Sequence, residues 1–159
     1  MLTKVYYRSK SLHETEQLGK ALALSLQKRA NPCLSFLEGP FGAGKTTLIK
    51  AIISELASLR QEAIASPTFQ YVTLYQGRET FPIAHFDLWR LSSEDSFFSL
   101  GLDDIASSSL SFIEWPEKLG KSSPEPTLII RIQAPKEEER VFEIEDRAGL
   151  FTESALELS

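Results

Sequence analysis

Residues Gly39-Pro40-Phe41-Gly42-Ala43-Gly44-Lys45-Thr46 fit the pattern G-x-x-x-x-G-K-S/T without a gap, and no other stretch constrains the fold as tightly. Such a loop works between a buried strand and the start of a helix. Its glycines let backbone N–H groups turn inward around phosphate oxygens, and the helix aims its positive end at the same charge. The flanks suit that arrangement. Cys33-Leu34-Ser35-Phe36-Leu37 reads as a buried strand, and an amphipathic run over about residues 45–58 reads as the helix. Lys45 is then placed to reach the β and γ phosphates, the Thr46 hydroxyl to ligate Mg2+, and Thr47 to lie near the α-phosphate. Gly42, Ala43 and Gly44 supply the loop amides, so the expected ligands are ATP and Mg2+.

The rest of the chain alternates helical and extended patterns. Residues 4–8 alternate toward a strand, and Ser11 followed by Glu14 matches a capping box opening a helix to about residue 29. Asn31-Pro32 ends that helix. Residues 69–75 and 81–88 read as a hairpin around a turn at 76–79, and serine-rich residues 92–109 suggest one or two short helices. Further strands are expected at 110–114, 128–132 and 141–144, with the last residues, 146–159, forming a peripheral tail. The pattern predicts one α/β domain over 1–159, a P-loop NTPase-like three-layer fold. Its central sheet is mixed and partly parallel, with helices on both faces.

A phosphate loop also needs carboxylates near the metal, usually at the ends of neighbouring strands. Two expected strands end in acids: Asp87 closes 83–87 and Glu114 closes 110–114. His85 shares a strand face with Asp87, as a core residue or a site residue. Ser66-Pro67-Thr68 lies where an ordered loop would touch the γ-phosphate through a hydroxyl. These residues alone leave open an ATPase, a small-molecule kinase and a nucleotide-switched binding module.

Composition narrows the class. With 17 basic residues against 22 acidic ones, a formal charge of −5 does not predict unaided RNA binding. Cys33 is the single cysteine and is expected in the core. No run approaches a membrane span or a signal sequence, which predicts a cytoplasmic address without membrane contact.

Several segments together resemble the TsaE (YjeE) family, the bacterial ATPase of tRNA threonylcarbamoyladenosine modification. They are Ser11-Leu12-His13-Glu14-Thr15, Gly42-Ala43-Gly44-Lys45-Thr46-Thr47, Ser66-Pro67-Thr68-Phe69, His85-Phe86-Asp87-Leu88-Trp89-Arg90-Leu91, Ile113-Glu114-Trp115-Pro116-Glu117 and Glu139-Arg140. The resemblance implies a weakly active, monomeric ATPase that works with TsaD and TsaB and reaches tRNA through that complex. It implies that Lys45 holds phosphate, that Thr46 and Glu114 bind Mg2+, and that Asp87 supports the metal or its water. Lys45, Asp87 and Glu114 would carry catalysis. Thr47 and Thr68 would line the phosphates, Ser11 and Arg140 would meet the base and sugar, and Trp115 would lie beside the nucleotide or at a partner face. Two departures stand out: Pro40-Phe41 replaces an acidic-apolar pair, and Trp89 replaces a tyrosine.

Overall fold

A computed structural model describes residues 2–67, 70–77 and 81–151. Strand β1 (Thr3–Ser9) alternates exposed and half-buried side chains and leads into helix α1 (Leu12–Leu26). The Ser11 hydroxyl accepts the Glu14 N–H at 3.1 Å, and the Glu14 carboxylate accepts the Lys10 N–H at 2.6 Å, so the expected capping box forms. Strand β2 (Cys33–Glu38) runs into the phosphate loop and helix α2 (Lys45–Ala57). Then come β3 (Val72–Tyr75), β4 (Ile83–Asp87), the short helices α3 (Glu94–Ser99) and α4 (Leu102–Ser107), and β5 (Leu110–Glu114). A 3-10 turn, Pro116–Ser122, precedes β6 (Leu128–Gln133) and β7 (Arg140–Asp146).

Seven strands form one sheet in the order β1-β7-β6-β2-β5-β4-β3. The central four, β6, β2, β5 and β4, are mutually parallel, while β1, β7 and β3 join antiparallel. Burial explains the division. All five residues of β5 are buried, as a strand with covered faces requires, whereas β1 and β3 at the edges carry exposed positions.

Alternation splits the apolar residues between two cores. Leu37, Phe112, Ile130 and Phe142 face α1 and α2, while Phe36, Phe86, Ile113 and Ile129 face α3, α4 and the 3-10 turn. The mixed three-layer sheet with helices on both faces is therefore the observed fold. Leu18, Leu22, Leu48 and Ile52 are fully buried between α1, α2 and the sheet, each contributing roughly 1.5–3 kcal/mol relative to exposure. The two helices touch closely at Gly19, where an added Cβ would lie 2.5 Å from the Ala51 Cβ.

Two expectations need correction. The stretch from 146 onward does not begin as a peripheral tail: Asp146 is fully buried at the end of β7, and Phe151 is buried in the core beside α1 and α2. The Asp146 carboxylate accepts the Ala148 N–H at 3.0 Å and the Phe151 N–H at 2.9 Å, folding the chain back onto the core. The hairpin strand expected from 69 begins at Val72, because Tyr71 takes a left-handed backbone (φ +61°) that cannot continue the ladder. Phe69 lies outside the described residues.

Candidate functional site

The site occupies the carboxyl ends of β2, β4 and β5, where ligands of open parallel sheets bind. Gly42 and Gly44 hold φ values of +76° and +107°, conformations that favour glycine, and turn the chain sharply into α2. Gly44 is the N-cap of α2 and supplies no side-chain acceptor, so the first-turn amides remain available to an anion.

Lys45, 5% exposed, folds back over its own loop. Its ammonium donates to the carbonyls of Gly39 and, at 3.4 Å, Pro40, and it lies against the face of Trp115. Burial lowers its pKa, while the charges of Glu114, Glu117 and Asp87 act the other way. Its contacts are neutral carbonyls and a ring, which leaves a cation in a poorly hydrated place suited to an incoming anion. Phe41, Trp89 and Trp115 form a cluster above it, with neighbouring ring centroids 4.5–4.6 Å apart. Trp115 holds φ +60°, a left-handed conformation costing about 1–2 kcal/mol for a residue with a side chain.

The carboxylates meet through strand register. β4 and β5 pair Asp87 with Glu114, so two acids stand side by side at the sheet's end. Thr46 Oγ1 donates to Glu114 Oε1 at 2.7 Å, bringing the loop and the β5 acid together. Glu114 Oε2 lies 2.7 Å from His85 Nε2, and His85 is fully buried beneath it. Asp87 accepts the Trp89 N–H at 3.1 Å. Burial pushes the Asp87 carboxyl up, the Trp89 hydrogen bond opposes this, and the nearby Glu114 charge raises it further.

These donors fit Mg2+. A hydroxyl and two carboxylates are hard oxygen ligands, and two acids side by side favour a cation between them. Among the described residues no cluster of three or more His, Cys, Asp or Glu is placed to hold a metal.

Two cavities adjoin across the loop. One, of about 340 Å3, is lined by residues 40–47 with Ser66, Asp87, Trp89, Glu114 and Trp115. The other, of about 370 Å3, lies between α1 and β7 and is lined by Ser11, Thr15, Thr47, Arg140 and Phe142 among others. Gly42, Gly44 and Thr47 line both, so a phosphate chain on the loop would lead into the second space. The Arg140 guanidinium reaches the Gly42 carbonyl at 3.3 Å and the Glu137 carbonyl at 2.9 Å, fixing it at the cavity rim. Ser11 lines the cavity while its hydroxyl caps α1.

The structure thus brings Lys45, Thr46, Asp87, Glu114 and Trp115 into one cavity and Ser11, Thr47 and Arg140 into its neighbour. Ala43 lines the first cavity alone. Thr68 lies outside the described residues. Sequence reasoning put His85 on the right face but missed its contact with Glu114, and it missed the aromatic cluster entirely. The period-two pattern carries the first signal, but the pairing of β4 with β5 supplies the partner.

Comparison with known proteins points one way. Residues 9–142 match the family model described as Threonylcarbamoyl adenosine biosynthesis protein TsaE. A Rickettsia conorii protein named tRNA threonylcarbamoyladenosine biosynthesis protein TsaE is 32% identical over 134 residues, covering 84% of this chain and 74% of that one. A protein of the same name from Treponema pallidum is 32% identical over 126 residues, covering 79% and 88%. Among solved structures, YdiB of Bacillus subtilis shares the fold with a TM-score of 0.67, at 22% identity, over 94% of this chain and 89% of that one.

Proposed function

This chain belongs to the TsaE family, and from that premise we propose that it is a Mg2+-dependent, weakly ATP-hydrolysing subunit serving tRNA threonylcarbamoyladenosine biosynthesis together with TsaD and TsaB. The observation that carries the reading is the convergence of Lys45, Thr46 and Glu114 at the ends of β2 and β5, with Thr46 bonded to Glu114 at 2.7 Å.

In this reading the amides of residues 42–46 and the Lys45 ammonium hold the β and γ phosphates. Thr46, Glu114 and Asp87 hold Mg2+, which when bound neutralises charge on the phosphate oxygens. Ser11, Thr47 and Arg140 border the space for the nucleoside. Lys45 has to leave the Trp115 ring to reach phosphate, and Trp115 lines the cavity it enters.

A low rate for the chain alone is in keeping with the charges that line the loop cavity. Among the described residues Lys45 is the only basic side chain lining the loop cavity, and Arg140 stands at the rim of its neighbour, a sparse complement for charge developing on a transferred phosphoryl group. Groups ordered or supplied by a partner would raise the rate. tRNA is reached through the complex, in keeping with the acidic charge of −5. A monomer in the cytoplasm suits that role; among the described residues no helix is long and apolar enough to cross a membrane.

The test is ATP hydrolysis measured with and without TsaD and TsaB. Slow turnover alone and a rise of tenfold or more with both partners, by about the 1.4 kcal/mol per decade of rate, are expected. An unchanged rate would count against this reading.

A further inference from the structure

We infer that His85 is a positioning residue that holds Glu114 for the metal, an inference that rests on Glu114 serving Mg2+ and ATP. Three observations carry it. Glu114 is buried, and among the described residues each of its carboxylate oxygens has one hydrogen-bond partner: Oε1 takes the Thr46 hydroxyl and Oε2 lies 2.7 Å from His85 Nε2. Parallel register sets Asp87 opposite Glu114 and His85 opposite Phe112, so His85 approaches the carboxylate from below on the same sheet face. His85 is fully buried and is not among the residues lining the loop cavity, so it reaches a bound nucleotide through the acids beside it, and its hydrogen bond goes to Glu114.

The unused nitrogen separates this role from simple packing. Nδ1 is buried without a hydrogen-bond partner among the described residues. Placing the ring proton on Nε2 makes Nδ1 an idle acceptor and gives Glu114 a donor; the opposite tautomer would bury an unpaired N–H and leave Oε2 facing a lone pair. A ring that merely filled space would be better as phenylalanine, with no buried nitrogen to desolvate. What the imidazole adds is a fixed direction for one carboxylate, which keeps the other oxygen beside Thr46. Outer partners of metal ligands act in this way, and their loss commonly weakens metal binding about 10–100-fold.

The experiment measures binding of ADP to the full chain by calorimetry over a range of Mg2+ concentrations. In the parent chain, Mg2+ should tighten ADP binding; if it binds no ADP at any Mg2+ concentration, the functional reading and this inference both fall. Given that binding, His85→Phe should raise the Mg2+ concentration for half effect by about 10–100-fold. Its affinity for ADP without Mg2+ should stay within about threefold, under one decade of binding constant. His85→Gln, whose amide nitrogen reaches where Nε2 lies, should restore the parent Mg2+ dependence to within a few-fold. His85→Asn, whose shorter amide falls at the Nδ1 position, should not. Parent-like Mg2+ dependence in His85→Phe overturns the inference while leaving the nucleotide site standing. Should His85→Phe fail to fold, the Gln and Asn variants decide alone, and equal Mg2+ dependence in the two overturns it.

Discussion

Lys45 holds its ammonium 3.5 Å from the centroid of the Trp115 ring, roofed by Phe41 and Trp89. A buried cation–π contact of this kind is worth about 2 kcal/mol, and a charge-assisted hydrogen bond to a phosphate oxygen competes with it. On the proposed reading, phosphate binding draws the ammonium off the ring, and the ring is placed to report it.

Adding Mg2+ and ADP should change tryptophan emission, and Trp115→Phe should remove most of that change while Trp89→Phe removes less. Lys45→Ala should weaken nucleotide binding by about 10–100-fold, the worth of a hydrogen bond to a charged group. A fluorescence titration of the three variants checks both statements; equal loss of signal from the two tryptophan variants would contradict the first.

Glu114→Ala should abolish partner-stimulated hydrolysis and also destabilise the chain. It strands the buried His85 nitrogen, at about 1–3 kcal/mol for a buried group left unsatisfied, while the half-buried Thr46 hydroxyl faces the loop cavity. Glu114→Gln should lose hydrolysis with a smaller loss of stability, because its amide keeps one acceptor. Hydrolysis with both partners and urea unfolding without them check the pair.

Asp87 gives the ligand-free chain a predictable response to pH. Its folded pKa lies above the unfolded value, so its favourable contribution is complete below the unfolded pKa of about 3.9 and is lost as pH rises through the raised value. Ionised Asp87 therefore opposes folding at neutral pH. Asp87→Asn should melt higher than the parent at pH 7, with the difference shrinking toward pH 4, while Mg2+ and nucleotide binding weakens. Thermal melts across that range test it, and a difference that grows toward acid would contradict the sign.

Gly19→Ala should destabilise the chain although alanine favours helix by about 1 kcal/mol. The new methyl would sit 2.5 Å from the Ala51 Cβ, and forcing helices apart costs about 1–3 kcal/mol. Urea unfolding measures the balance, and a stabilised variant would show that α1 shifts freely.

Local rules made much of this molecule readable. The glycine-lysine-threonine run fixed the strand, loop and helix around residue 45, and Ser11 with Glu14 marked the start of α1. Acids at the ends of β4 and β5 were visible as sequence positions, but their adjacency depends on two strands pairing across α3 and α4. The same long-range pairing sets His85 under Glu114. The cluster of Phe41, Trp89 and Trp115 draws one ring from each of three separate segments, which no local pattern predicts. Asp146 misled for a related reason: an acid near the end of an extended run reads as a surface boundary, whereas here its oxygens bond to amides further along the chain.

The placement of β2 bears on how the chain matures during synthesis. Both of its neighbours, β5 and β6, are translated long after it, and β1 finds its partner only when β7 arrives. A nascent chain that already carries the glycine-rich loop still lacks both strands that flank it, so the setting of that loop in the sheet is completed only once β5 and β6 have been made.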